Sequence, residues 1–266
     1  MRYRIDHDYH VHTYLSSCSC DPAQNVRRIT EYARTLGLSS LCITDHLWDS
    51  AVEGASAWYA PQDLAHVKKI LPLPACEDIE LLFGCETEMD LHGTVGLHPS
   101  HYGELSFIVV PTTHMHMRGF TVPAEAESAE LRARLWVQRL DTLLQSDLPF
   151  GKVGLAHPVT TCIETRDREK YLQILRLLPE AELERLFCRA ADVGLGIEIN
   201  ADDMRFTDAE ADTVLRPLRI AKGCGCKFYL GSDAHKGSEL DRAGELFERA
   251  ITRLDLCESD KFHISR

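Results

Sequence analysis

The sequence has few basic residues and no long apolar run. Lysine and arginine number 29 against 41 aspartate and glutamate residues, so the formal net charge is -12 at pH 7. Clustered Lys and Arg residues are what bind phosphate backbones, so long nucleic acid is a disfavoured partner. No apolar segment approaches the roughly 18 residues that cross a membrane, and the first residues lack a signal-peptide pattern. We therefore expect a cytoplasmic protein with no membrane partner and a small substrate.

The sequence also lacks structural cysteine motifs, internal repeats and linker-like stretches. None of the 10 cysteines falls in a Cys-x-x-Cys pair, and in the cytoplasm we expect free thiols. The length of 266 residues is usual for an α/β barrel, which needs about 250. A single domain over residues 1–266 is therefore expected.

Short β-rich runs alternate with amphipathic helical stretches along the whole chain. This alternation predicts βα units and a mainly parallel sheet. Seven runs are candidate strands: residues 4–9, 40–44, 79–85, 105–110, 152–156, 195–200 and 227–231. The Asp21-Pro22 pair indicates the start of the first helix, and Gly37 and Gly194 lie where two helices are expected to end. The pattern is typical of an α/β fold with about seven strands.

Side chains that can bind metal follow the end of every candidate strand. In chain order they are Asp8, His10 and His12; Asp45 and His46; Glu86; His114; His157; Glu198 and Asn200; and Asp233 and His235. The C-terminal ends of the strands in a parallel barrel share one face, where such enzymes build their sites. One such histidine alone would more often be structural, but the ordered set predicts a metal cluster at that face.

Spacing within the motifs supports a cluster of two or three divalent ions. His10 and His12 are two residues apart on an extended segment, so their side chains point the same way and can bind one ion. Asp233 and His235 repeat this arrangement, and the carboxylate of Glu86 can bridge two ions. Imidazole and carboxylate without obligatory thiolate suit zinc, manganese or iron.

The motifs, in this order, resemble those of the polymerase and histidinol phosphatase (PHP) family. The matching segments are His10-Val11-His12-Thr13, Ile43-Thr44-Asp45-His46, Gly84-Cys85-Glu86, Thr113-His114, Ala156-His157-Pro158, Glu198-Ile199-Asn200 and Gly231-Ser232-Asp233-Ala234-His235. The resemblance covers nearly the whole chain. It implies a distorted seven-stranded, TIM-like (β/α) barrel with a trinuclear metal site at the C-terminal ends of the strands.

The resemblance also implies how the ligands are shared. It assigns His10, His12, Glu86 and Asp233 to one ion, Glu86, His114 and His157 to a second, and His46 and His235 to a third. The family usually supplies another His or Asp to the third ion, at the position where this chain has Cys18. A thiolate can bind zinc, so Cys18 is a candidate ligand, with Cys20 or Asp21 as alternatives.

The histidinol-phosphatase branch of the family suggests a reaction. Its Glu-x-Asn motif is followed by a short loop ending in Arg, which is similar to Met204-Arg205 here, so Arg205 is a candidate clamp for the substrate phosphate. As a hypothesis, a metal-activated hydroxide at Glu86 attacks a small phosphate monoester, either histidinol phosphate or a nucleotide-like ester. His235 or a metal-bound water would protonate the leaving group. Phosphate or sulfate should bind at the cluster.

Two other functions remain open. Amidohydrolase-like C–N hydrolases also begin with His-x-His, but they typically bridge their ions with a modified Lys, and no Lys ends the third or fourth candidate strand here. A non-catalytic metal-binding module of the same family would be compatible with Cys18. Two long connections, residues 47–60 and 89–103, are candidate active-site loops, in which Trp58 and Tyr59 could stack on a flat ring.

Overall fold

Strands and helices alternate along residues 1–19 and 21–265, which the computed structural model describes; Cys20, an alternative ligand above, lies outside them. In this part of the chain the strands are β1 (His7–Val11), β2 (Ser40–Ile43), β3 (His46–Leu47), β4 (Glu80–Phe83), β5 (Cys85–Thr87), β6 (Ile108–Pro111), β7 (Val153–Ala156), β8 (Gly196–Asn200) and β9 (Lys227–Gly231). The α-helices are α1 (Val26–Leu36), α2 (Leu64–Val67), α3 (Ala129–Leu143), α4 (Arg168–Leu177), α5 (Glu180–Val193), α6 (Ala211–Gly223) and α7 (Gly237–Leu254).

All the strand pairs are parallel, as the alternation of elements predicted. The strands form a three-stranded sheet of order β1-β2-β4 and a six-stranded sheet of order β3-β5-β6-β7-β8-β9. The two sheets meet just beyond β1 and β9, where His12 N–H donates to the carbonyl oxygen of Ala234 at 3.2 Å and Asp233 N–H donates to that of His10 at 2.7 Å. The first and last sequence motifs therefore lie side by side.

The predicted count of seven strands is wrong, because the predicted strand 79–85 is divided in two and the predicted strand 40–44 is followed, after a break at Thr44, by the further short strand β3. At Gly84 a Cβ atom would lie 2.4 Å from the carbonyl oxygen of Phe107, and the close approach of that backbone separates β4 from β5. Thr44 interrupts the other strand, where its side-chain oxygen accepts a hydrogen bond from Val11 N–H at 3.1 Å. After these breaks the chain continues in the six-stranded sheet, where His46 and Glu86 are register partners.

The helix ends were predicted better than the helix start. Gly37 and Gly194 end α1 and α5 in the left-handed conformation, with φ of 71° and 80°. The start of α1 at Asp21-Pro22 was wrong. Asp21 instead accepts a hydrogen bond from Ala23 N–H in a turn, and the helix is capped by Asn25, whose side chain accepts from Arg28 N–H.

Helix α3 holds the strand ends that carry the site. Its buried Trp136 donates an indole N–H to the carbonyl oxygen of Pro158 at 2.9 Å, in the loop that follows β7. Its buried Arg139 donates to the carbonyl oxygens of Thr112 at 2.8 Å and Met89 at 2.7 Å, beyond β6 and β5. In the described part of the chain no helix is long and apolar enough to cross a membrane.

Candidate metal centre

Eight of the predicted ligands converge at the C-terminal ends of the strands. Three groups have ligand atoms within 4.8 Å of one another: His10, His12, Glu86 and Asp233; Glu86, His114 and His157; and His12, His46 and His235. Their histidine rings are buried except that of His235, which is partly exposed. The three groups share members, so they form one continuous cluster.

Glu86 lies at the centre of this cluster. Its Oε2 atom is 3.4 Å from His10 Nε2, 3.3 Å from His12 Nε2 and 3.0 Å from His46 Nδ1. Its Oε1 atom is 3.3 Å from His157 Nε2 and 3.9 Å from that of His114. The two oxygens of one carboxylate thus face two different sets of imidazoles, so Glu86 belongs to two of the ligand groups.

The hydrogen bonds of His10 and His12 fix which ring nitrogens carry protons. His10 Nδ1 lies 2.7 Å from a carboxylate oxygen of Glu198, which can only accept. His12 Nδ1 lies 3.0 Å from Ser16 Oγ, whose own proton is donated to Asp45 at 2.7 Å. In the neutral rings both Nε2 atoms therefore present lone pairs, and these atoms are 3.0 Å apart. Two lone pairs at this distance repel unless a cation lies between them, so the donor set fits a metal ion.

In the second group, hydrogen bonds likewise orient the rings of His114 and His157. Thr113 donates its hydroxyl proton to the carbonyl oxygen of His157, so its Oγ1 accepts from His157 Nδ1 at 3.0 Å. His114 Nδ1 lies 2.7 Å from Glu88, a buried carboxylate that is also paired with Arg139. Partners of this kind orient metal-binding histidines and raise their basicity. Both rings turn Nε2 toward Glu86.

The third group contains a buried nitrogen without a hydrogen-bond partner. His46 Nδ1 has no hydrogen-bonded partner among the described residues, although it lies close to Glu86. His235 donates its Nδ1 proton to the carbonyl oxygen of Asp233 at 2.8 Å, and its ring stacks on that of His12 with centroids 4.1 Å apart. A buried nitrogen without a hydrogen-bond partner, close to the rings of His12 and His235, is a suitable ligand for a third cation.

Two of the candidate ligands have an unusual backbone conformation. His157 has a φ of 26° and Asp233 a φ of 52°, in the left-handed region that non-glycine residues rarely adopt. Such residues cost about 1–3 kcal/mol each and persist only where neighbouring groups hold them. Glu198 provides one such contact, because its second carboxylate oxygen accepts from His157 N–H at 2.5 Å.

The charges of the cluster shift its pKa values strongly when metal is absent. Burial lowers the pKa of His12 and of His157, but nearby carboxylates, chiefly Glu86 and Asp233, more than offset it and raise both to about 9. Burial and the neighbouring charge of His12 lower the pKa of His235 to about 3. The pKa values of Glu86 and Asp233 are held well below their usual range despite burial, because the imidazoles surround them. Without metal, protons on these imidazoles thus supply the positive charge that balances Glu86 and Asp233.

Comparison with known families decides what kind of domain carries this cluster. The sequence matches the PHP domain over residues 8–202, well over half of the chain. The chain belongs to the PHP domain family. The resemblance drawn from the motifs is therefore confirmed, and the structure brings the last motif, Asp233 and His235, from beyond the matched residues to the same cluster. A search of curated proteins finds no match.

Two solved structures are similar to this PHP domain at low sequence identity, and the first of them shares its fold. Histidinol phosphate phosphatase from Lactococcus lactis subsp. lactis Il1403, complexed with Zn, L-histidinol and phosphate, is 17% identical with a TM-score of 0.65, over 98% of this chain and 95% of that chain. A probable 2-pyrone-4,6-dicarboxylic acid hydrolase from Acinetobacter baumannii, with citric acid bound, is 14% identical with a TM-score of 0.49, over 96% and 97%.

A cavity of about 730 Å³ opens beside the cluster of the PHP domain. Five of the eight clustered ligands line it: His46, Glu86, His114, Asp233 and His235. Trp58 and Tyr59, predicted to stack on a ligand, both line the cavity. Trp58 is 36% exposed, whereas Tyr59 is buried and packs edge-on against Trp58, so Trp58 offers the larger surface to a ligand.

The two remaining predicted residues, Arg205 and Cys18, are placed differently. Arg205 is not among the residues that line the cavity, and its Nε atom pairs with Asp202 at 2.9 Å. Cys18 lines the cavity but belongs to none of the three ligand groups. Although the residue is exposed on one side, burial of its thiol and the nearby Glu86 and Asp233 raise its pKa. The structure therefore brings together eight of the nine predicted ligands.

Sequence reasoning counted Asp45 and Glu198 as possible metal ligands and did not identify them as groups that orient the histidines. Glu198 and Asp45 were noted at strand ends, but nothing local indicated that they bind His10 and Ser16. Glu88 follows Glu86 by two residues, and the alternation of a strand would have placed both on one side. Arg118 lines the cavity from a loop, where no periodic pattern could have identified it.

Proposed function

We propose that this PHP domain is a metal-dependent phosphoesterase that hydrolyses a small phosphate monoester. The observation that supports it most is the position of Glu86, whose two oxygens lie between two sets of imidazole nitrogens that carry lone pairs. The cavity beside the cluster has room for a small ester. A closed barrel, in which the junction of β1 and β9 completes the ring, is part of the same proposal, as is a single domain.

The residues present fit two to three divalent ions of zinc, manganese or iron. His10, His12, Glu86 and Asp233 would hold the first; Glu86, His114 and His157 the second; and His46 and His235 the third. Ions held there would supply a Lewis acid for the phosphoryl oxygens and lower the pKa of water to roughly 7. The chain contributes the orientation: Glu198, Ser16, Glu88 and Thr113 keep the proton of each ring on Nδ1 and leave Nε2 free to bind.

Proton delivery to the leaving group is proposed to come from water rather than from His235. That ring donates its Nδ1 proton to the carbonyl oxygen of Asp233, and its Nε2 atom would be a ligand of the third ion, so neither nitrogen would have a proton to deliver. The fold is shared with a phosphatase that was crystallised with L-histidinol and phosphate, so histidinol phosphate is a first substrate to test. Arg205 would have to release Asp202 before it could bind a phosphate.

The two alternative functions make different demands on the site. An amidohydrolase-like C–N hydrolase would need a bridging group other than Glu86, and no Lys is among the described residues that line the cavity. A non-catalytic metal-binding module would not need an open cavity beside the cluster, nor the left-handed backbone at His157 and Asp233. The phosphoesterase therefore accounts for more of the observed features.

Metal analysis together with phosphate release tests the proposal. The wild-type protein should contain two or more ions per chain and release phosphate from histidinol phosphate, a nucleoside monophosphate or phenyl phosphate. Glu86→Gln keeps the shape but removes the shared charge, so both metal content and activity should fall. Glu164→Gln is the matched control, because Glu164 is buried but pairs with Arg132 and Lys170 away from the cluster. A metal-loaded wild type that hydrolyses none of these esters would contradict the proposal.

A further inference from the structure

The lining of the cavity outside the metal cluster has a composition of its own. Trp58, Met117 and Phe120 contribute apolar surface, and Arg118 is the one Lys or Arg among the described residues that line the cavity. The ring of Trp58 stands edge-on to that of His46, with centroids 5.1 Å apart, so the apolar wall begins directly beside the cluster. A bound ester would therefore extend from the cluster along an apolar surface toward one positive charge.

The backbone that carries Arg118 is tied to the cluster. Thr121, three residues further on, donates its hydroxyl to the carbonyl oxygen of His114, and Arg139 donates to the carbonyl oxygen of Thr121 at 2.5 Å. Gly119 adopts a φ of 80° and donates its N–H to the carbonyl oxygen of Val122 at 2.7 Å, which closes a tight turn. The loop thus has a defined conformation relative to the candidate ligand His114.

The side chain of Arg118 lies at the outer rim of the cavity. It is 28% exposed and forms an ion pair with Glu127, which is 70% exposed, whereas Glu86 at the cluster is 1% exposed. Exposed ion pairs contribute about 0–1 kcal/mol, so an anion on a ligand can replace Glu127 at little cost. The guanidinium fork suits a carboxylate or phosphate. Its greater exposure distinguishes it from the buried Glu86, beside which a transferred phosphoryl group would lie.

We propose that Arg118 binds a second anionic group of the substrate. The proposal rests on the phosphoesterase function above and names its substrate class. The substrate is a phosphate monoester whose leaving group has a flat or apolar part, which contacts Trp58, Met117 and Phe120, and beyond that part a carboxylate or phosphate that replaces Glu127 on Arg118.

A matched pair of synthetic esters tests this assignment on the metal-loaded protein. Phenyl phosphate and 4-(carboxymethyl)phenyl phosphate have the same aromatic leaving group and differ by one carboxylate. The wild type should prefer the carboxylated ester in kcat/KM, mainly through KM. In Arg118→Met this preference should shrink about tenfold, the size expected from losing one hydrogen bond between charged groups. Glu127→Gln removes the competing carboxylate and should enlarge the preference instead.

The control variant is Arg134→Met, because Arg134 is exposed on α3 and lines a different groove of the surface. It removes the same charge and should leave the preference unchanged. Equal losses for both esters in Arg118→Met would overturn the proposal, because they would place Arg118 on the transferred phosphoryl group. An unaltered preference would overturn it as well. If the wild type hydrolyses neither ester, both the phosphoesterase function and this inference fail. If it hydrolyses the esters, the ratio of the two kcat/KM values tests the role of Arg118 alone.

Discussion

Glu198 illustrates how much of the site depends on one residue that binds no cation itself. One carboxylate oxygen accepts from the ring of His10 and the other from the backbone of His157, so residues from two different strand ends share one partner. A carboxylate can satisfy both donors because it only accepts hydrogen bonds. Glu198 is fully buried, so water does not compete for these hydrogen bonds, and they orient both ligands.

Glu198→Gln is expected to weaken metal binding by about 10–100-fold, the usual effect of altering a partner of a ligating histidine. The amide nitrogen of Gln must face either His10 Nδ1 or His157 N–H, and in both cases two donors oppose each other. Competition with a chelator measures the affinity, and Glu164→Gln serves again as the buried control. An affinity equal to the wild type would show that Glu198 does not orient these ligands.

Cys18→Ser is expected to leave the metal content unchanged. The thiol lies outside the three ligand groups, so none of the three candidate ions would have it as a ligand. Elemental analysis of the two proteins after identical loading measures the result. Loss of one ion per chain in the variant would instead make Cys18 a ligand, as the family comparison at that position implied.

The ends of the strands are the elements that assemble the site. Strand β9 ends at Gly231, where a Cβ atom would lie 1.8 Å from Oε1 of Glu198 and 2.7 Å from Cβ of His10. The strand therefore passes the neighbouring strand ends more closely than a side chain would allow. The absence of a side chain here is what lets β1, β8 and β9 bring their carboxylate and imidazole groups together.

Gly231→Ala is expected to destabilise the protein by about 1–3 kcal/mol, the range for overpacking a well-packed interior, and to weaken metal binding as well. The methyl group would push Glu198 away from His10. Gly223→Ala on α6 is the control, because its Cβ meets no atom within 4 Å and its effect should stay within about 0.5 kcal/mol. Denaturant unfolding measures the free energy of unfolding of both variants. Equal changes would mean that Glu198 and His10 move aside for the methyl group at little cost.

The whole molecule should respond to pH in opposite ways with and without metal. In the metal-free protein the pKa values of His12 and His157 are raised from 6.5 to about 9, so their contribution to stability is complete below pH 6.5 and is lost as pH rises toward 9. The loss should be on the order of a few kcal/mol. Metal binding requires these rings deprotonated, so the stability of the loaded protein should rise over the same range.

Unfolding in denaturant at several pH values, with chelator or with saturating zinc, measures this difference. Burial also raises the pKa of thiols such as Cys42, but these reduce stability only above the ordinary thiol pKa of about 8.5. The decisive window is therefore pH 6.5 to 8. A metal-free protein whose stability stays level or rises within it would contradict the protonation assigned to His12 and His157.

The sequence by itself determined the family, the parallel α/β character and the residue types of the cluster. These could be predicted because the C-terminal ends of parallel strands share one face, so a histidine or carboxylate after each strand implies a common site without any knowledge of the contacts. Gly37 and Gly194 were predictable for a similar reason, since the left-handed end of a helix is a local preference.

Only the tertiary structure decided which groups orient the ligands and which basic residue borders the cavity. Glu198 and His10 are far apart in sequence, and their hydrogen bond depends on three strands packing around Gly231. The break at Gly84 depends on the backbone of Phe107 in another strand. Arg118 lines the cavity while Arg205 pairs with Asp202, because loop conformation places side chains that no periodic pattern specifies.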